Sequence, residues 1–165
     1  MKKYEFTGET KEIRLLFRTA TLHRIRATVA FGIVEVGDLG GWIEKEENLS
    51  HEGKAWVWGN AEVWGNAKVC GDAEVCGDAK VFSASHVLVI GAIGSRNDFT
   101  TFYRDKDNEI TVKCGCFLGK IDRFLEKVTQ THGDSKYALV YRAAVEVAKL
   151  QIDLSGEAPK DADEE

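Results

Sequence analysis

The clearest regularity along the chain is a period of six in its apolar positions. From residue 57 the hexads read Val57-Trp-Gly-Asn-Ala-Glu62, Val63-Trp-Gly-Asn-Ala-Lys68, Val69-Cys-Gly-Asp-Ala-Glu74 and Val75-Cys-Gly-Asp-Ala-Lys80. Weaker copies start at Val81 and Val87. Backward, the period decays through His51-Glu-Gly-Lys-Ala-Trp56 and Leu39-Gly-Gly-Trp-Ile-Glu44. Self-similarity at a fixed short period is the mark of a repeat architecture. In each hexad the valine and the alanine four residues later point inward. The Gly-Asn or Gly-Asp between them makes a corner, because both residue types tolerate positive φ. Three such sides close a coil of about 18 residues, and coils stack by parallel strand pairing. Residues 39–92 then supply about three coils.

The residue after each inward valine faces out: Trp58, Trp64, Cys70, Cys76, Phe82 and Leu88. Stacking by 18 puts Trp58 under Cys76, Trp64 under Phe82 and Cys70 under Leu88. An exposed Trp64–Phe82 ladder is an apolar patch of the kind that marks an interface, unless the N-terminal unit or the C-terminal helices of the same chain cover it, so Trp58, Trp64 and Phe82 are candidate binding residues.

The segment Val57–Val81 resembles the hexapeptide-repeat left-handed β-helix. The stretch Gly37–Val69, with its "GDLGGW" and "ENLS" elements, resembles phage and prophage hexapeptide-repeat proteins. The resemblance implies a mainly β fold: a left-handed parallel β-helix of about three coils, with an N-terminal β cap and a C-terminal hairpin plus two helices. It also implies a homo-oligomer, with a trimer favoured and a dimer the alternative. The stretch from Phe102 to Tyr141 is similar to a small α+β module appended to such proteins, a likeness that implies no activity.

The flanks follow other periods. Tyr4-Glu5-Phe6, Arg14–Arg18 and Leu22–Ala27 read as two or three short antiparallel strands capping the repeat. Arg24 and Arg26 share one face of the last of these. With Arg14 and Arg18 they form a candidate phosphate or carboxylate site, unless they pair with the local Glu5, Glu9, Glu12, Glu35 and Asp38. Beyond Ile93 the repeat breaks. Phe99–Arg104 and Glu109–Cys114 predict a hairpin with a turn at 105–108, read as a plain turn rather than a calcium loop. Helices are predicted over Lys120–Thr131 and Lys136–Ile152. The apolar face of the second comprises Ala138, Leu139, Tyr141, Ala144, Val145, Ala148 and Leu150. The implied organisation is a β cap at 1–38, repeats at 39–94, an α+β module at 95–154 and a disordered acidic tail at 155–165.

Charge and composition narrow the function classes. Of the net charge of −5, the tail carries −4, so the body of the 165-residue chain is nearly neutral. That argues against direct nucleic-acid binding. No apolar run reaches the length of a membrane span, and the N-terminus turns polar at once, so a cytoplasmic location in a host cell and no membrane partner are expected. The four cysteines, at 70, 76, 114 and 116, do not form a disulfide framework.

Catalytic chemistry is sparse. A hexapeptide acyltransferase needs a histidine base beside its donor, and His86 is the coil histidine with an outward position. His51 sits where a degenerate hexad expects an aliphatic residue. The histidines at 23, 51, 86 and 132 lie too far apart for a three-histidine zinc centre, and Cys114 with Cys116 supplies only two ligands. No metal or cofactor is expected. The residues and the resemblance together predict a non-enzymatic oligomeric binding protein, phage-encoded. It would inhibit host antiviral defence by binding a host protein or sequestering a small anionic nucleotide signal. The alternatives are an acyltransferase-like enzyme with His86 as base, and a structural virion component.

Overall fold

The computed structural model describes residues 1–156 and the backbone of 160–161. The chain begins with one hairpin of two antiparallel strands, β1 (Tyr4–Arg14) and β2 (Thr19–Ala27), longer than the two or three short strands expected. Arg14–Arg18, read as a strand, is mostly its turn: the Leu15 N–H donates to the Arg18 carbonyl, and Leu16 and Phe17 stand 88% and 94% exposed at the tip. β2 then pairs antiparallel with β3 (Leu39–Ile43), His23 opposite Ile43 and Arg24 opposite Trp42.

From β3 the pairing turns parallel. β3 pairs with β5 (Glu62–Val63), and β5 with β7 (Lys80–Val81). β4 (Trp56–Val57) pairs with β6 (Glu74–Val75). The hexad phase places the side chains as expected: Val57, Val63, Val69, Val75 and Val81, with Ala55, Ala61, Ala67, Ala73 and Ala79, are buried in one core. Gly59, Gly65, Gly71 and Gly77 hold the corners at positive φ.

The expected left-handed parallel β-helix of about three coils is nevertheless corrected. Three separate sheets form: a mixed sheet in the order β12 (Lys160–Asp161)-β1-β2-β3-β5-β7, the parallel pair β4-β6, and a four-stranded antiparallel sheet. The repeat strands are only two residues long, and the third side is a single bridge, Leu49 to Val69. Registers in the first turn are offset by 20 residues, Trp42 to Glu62 and Ile43 to Val63, and only later by 18, Glu62 to Lys80. The hexad from Val87 does not continue the stack. A 3₁₀ turn at Ala84–His86 turns the chain into β8 (Val87–Ile93), which pairs antiparallel with β9 (Asp98–Arg104). At the N-terminal end β2 pairs with β3 over a longer ladder than a two-residue strand could offer, and at the C-terminal end β8 pairs with β9 in a separate sheet instead of with the stack.

The antiparallel sheet runs β11-β10-β9-β8, with β10 at Ile110–Cys114 and β11 at Phe117–Lys120. Helices α1 (Ile121–His132) and α2 (Lys136–Gln151) pack against it through Phe102, Val112, Phe124, Val128, Tyr141 and Val145. Leu139 and Leu150, assigned to the inner face of α2, are 60% and 89% exposed; the buried stripe is narrower, Ala138, Tyr141, Ala144, Val145 and Ala148. The turn at 105–108 is tied internally. Buried Asp105 accepts from the Asp107 and Glu109 N–H groups, from Thr111 Oγ1 and from Lys120 Nζ.

Side chains of the module finish the lower edge of the parallel stack. The Glu74 N–H donates to Thr101 Oγ1 (3.0 Å), the Phe82 N–H to His86 Nδ1 (3.2 Å), and the buried Tyr103 hydroxyl to the Cys76 carbonyl (2.9 Å). Backbone groups that would be unpaired in the interior are thus satisfied. The expected disorder of 155–165 falls mainly outside the described residues. Ser155 and Gly156 are described, and β12 (Lys160–Asp161) pairs with β1.

Candidate functional site

Trp58 follows β4 at an outward hexad position. Its N–H donates to the Val75 carbonyl (2.8 Å), and its own carbonyl accepts from Ala61 at the corner (3.1 Å), so the backbone is fixed while the indole stays half-buried. It lines a cleft of about 460 Å³ where three parts of the chain meet. The 28–38 loop contributes Phe31 and Ile33, the repeat contributes Trp56 and Trp58, and the antiparallel sheet contributes Phe99. Ile33 and Phe99 are exposed on the rim.

The charges of this cleft are mixed. Asp72, Glu74 and Asp98 oppose Lys54 and Lys113, and Lys113 already pairs with Glu74 at 3.5 Å. The balance is slightly negative, which disfavours a phosphate ligand and suits an aromatic or aliphatic side chain within a polar rim. Behind it, Trp56 is fully buried and its indole N–H has no hydrogen-bond partner among the described residues. Its ring meets those of Phe31 and Tyr4 edge-on, with centroids 5.3 and 6.2 Å away.

The other candidate residues do not join this cleft. Trp64 stacks on Phe82 (4.8 Å, 17°) as the 18-residue spacing predicts. Yet Trp64 is only 2% exposed, because Ile13, Ala20, Leu22 and Trp42 from the N-terminal strands lie on it. The ladder is therefore an internal contact, which corrects its reading as an exposed patch. The arginines do not converge either. Arg26 pairs with Glu5 (2.6 Å), Arg18 makes a two-pronged pair with Glu44 (2.8 and 3.1 Å), and Arg24 lies over the Trp42 ring and donates to the Gly40 carbonyl. Of the two readings of these arginines, local pairing fits Arg26, because the hairpin register sets Glu5 directly opposite it, and Arg24 is engaged by a backbone carbonyl instead of joining an anion site.

His86 does not face a substrate. It is 2% exposed, its Nδ1 accepts the Phe82 N–H, and its Nε2 lies 3.3 Å from an Arg104 nitrogen. Burial, with the Arg104 charge beside it, lowers its pKa to about 4, so the ring is neutral near pH 7. Arg104 is itself buried. It binds Asn108 Oδ1 and the carbonyls of Ser155 and Gly156, and stacks over Phe82. His51 is also engaged, stacked on Tyr4 with its Nδ1 accepting the Lys3 N–H. Cys114 borders a second cleft, while Cys116 sits in the adjoining turn and not on a strand face.

Phe31, Ile33 and Phe99 are the functional candidates that sequence reasoning missed. The apolar run Ala30-Phe31-Gly32-Ile33-Val34 between predicted strands was the available signal. No protein-family model matches the chain, and no curated protein matches it at a significant level. Among the described residues, no helix is long and apolar enough to cross a membrane.

Proposed function

We propose that the protein is a non-enzymatic binding protein, phage-encoded as its resemblance implies, that inhibits a host defence system by docking a host protein at the Trp58 cleft. The observation that carries this reading is the half-buried Trp58 in an aromatic cleft rimmed by exposed Ile33 and Phe99 and by charges of both signs. Protein hot spots have this composition: a tryptophan anchor, partial desolvation and a polar rim. Nucleotide capture is the weaker form of the reading, because the cleft is slightly negative and the candidate arginines are paired. Acyl transfer through His86 is weaker still, because that imidazole is buried and its Nδ1 is occupied.

The test places a photo-crosslinking residue at Ile33 and, as a control, at Leu150, in cells carrying the sensitive defence system. The reading expects a single host protein crosslinked from Ile33 and not from Leu150. It also expects Trp58→Ala to abolish both the crosslink and protection of the phage while circular dichroism stays native. Full protection by a folded Trp58→Ala protein overturns it.

A further inference from the structure

A second cleft, of about 270 Å³, lies on the far side of the β10–β11 turn, between that turn and the two helices. Its walls are apolar: Phe117 and Phe124 with ring centroids 5.4 Å apart, Val128 from the same helix, and the Tyr141 ring set edge-on to Phe124 at 5.7 Å. Its inner polar groups are a thiol and a phenol hydroxyl. Cys114 Sγ accepts from Thr100 Oγ1 (3.3 Å), and the Tyr141 hydroxyl lies beside that thiol. Gly94 leaves room for this hydroxyl, since a Cβ at Gly94 would fall 1.9 Å from it. Burial and the neighbouring thiol push the Tyr141 pKa up to about 12, so the hydroxyl keeps its proton, which it shares with Cys114.

The charged groups around the mouth are predominantly basic. Arg96 and Lys127 are exposed, and neither forms an ion pair among the described residues. His132 completes this side, stacked on Tyr141 with centroids 5.7 Å apart. The one carboxylate among the described lining residues, Asp98, accepts the N–H of Phe99. A pocket with apolar walls, a thiol and a phenol hydroxyl inside and unpaired cations at its mouth is complementary to an amphiphilic anion. Its volume lies just below the range of about 300–1,000 Å³ that drug-sized ligands occupy, which limits the apolar body to about one ring.

We infer that this cleft is a binding site for a small organic carboxylate with an aromatic or branched apolar body. The carboxylate meets Arg96 and Lys127, and the body lies between Phe117, Phe124 and Tyr141. The two clefts share Asp98 and Gly115 at their border, but Ile33 and Trp58 line only the first and Phe124, Val128 and Tyr141 only the second, so shifts at these residues tell the two readings apart.

Phenylacetate is the probe, titrated into the full chain and followed by amide proton–nitrogen correlation spectra. The expected result is saturable shifts at Arg96, Cys114, Val128 and Tyr141, with Ile33 and Trp58 unmoved. Phenylacetamide, which keeps the ring and loses the charge, should bind at least tenfold more weakly. The double variant Arg96→Gln, Lys127→Gln should weaken phenylacetate by a similar factor and leave phenylacetamide unchanged. Thr131→Phe, on an exposed lining position, should block both without altering the circular dichroism. Equal affinity for the acid and the amide, shifts centred on Trp58, or no saturation at the solubility limit would each overturn the inference.

Discussion

Truncating Trp64 to alanine separates an internal aromatic contact from a subunit interface. The indole is 98% removed from solvent, stacked on Phe82 and covered by the N-terminal strands. A buried tryptophan hides about 200 Å², which at roughly 25 cal/mol per Å² is about 5 kcal/mol; alanine and partial collapse recover some of it. Measured aromatic-to-alanine changes in cores cost about 3–5 kcal/mol. At a urea dependence of about 2 kcal/mol per molar, the unfolding midpoint should fall by roughly 2 M with its slope unchanged. The molar mass by light scattering should stay the same, because the contact is within one chain. Urea denaturation followed by circular dichroism gives the first number and multi-angle scattering the second. A loss below about 1 kcal/mol, accompanied by a drop in mass, would refute the reasoning and return Trp64 to an interface between copies.

Acidification tests the buried imidazole. His86 has a folded pKa near 4 against an ordinary 6.5, so the unfolded chain takes up its proton first. Its stabilising contribution is complete above pH 6.5 and is lost as the pH falls from 6.5 to 4, a total of about 3 kcal/mol. Thermal melts between pH 7 and 4.5 should show this slope, and His86→Gln, which still offers an acceptor to the Phe82 N–H, should flatten it. Gly65→Ala should cost about 2–3 kcal/mol in urea melts, since φ is +60° and its Cβ would lie 2.8 Å from the Phe82 carbonyl oxygen. Gly59→Ala, at φ +57° with open space, should cost only about 1 kcal/mol; equal costs would show that the carbonyl moves aside. Arg104→Ala removes the donors that hold the Ser155 and Gly156 carbonyls, so amides of 153–156 should exchange with deuterium at least tenfold faster than in the wild type.

The interior was legible wherever one residue type recurred at a strict spacing. The valines at 57, 63, 69, 75 and 81 and the alanines between them are buried as the hexad requires. α1 and α2 begin and end within a residue of the amphipathic periods that predict them. The local period could not say what lies against its outward positions. Trp64 and Cys76 point outward from the stack and are still buried, because other segments cover them. The same limit applies in reverse at Leu139 and Leu150, apolar residues on a helical stripe that the sheet is too narrow to reach. The Trp58 cleft was half legible. Trp58 is set by the hexad phase, but Phe31 and Phe99 arrive from segments 27 residues before it and 41 after it, a long-range meeting that no local spacing encodes.

The finished edges of the parallel stack bear on self-propagation. A run of near-identical β-prone hexads is a template that can add copies of itself without limit, the route to fibrils. In this protein both ends are stoppered by sequence that does not repeat. β2 lies antiparallel along β3 at one end. At the other, Thr101 and His86 occupy the Glu74 and Phe82 N–H groups that a following hexad would use. The flanks therefore act as chain terminators for the stack, setting its length by what they withhold. Residues 39–81, freed of both, would be expected to polymerise.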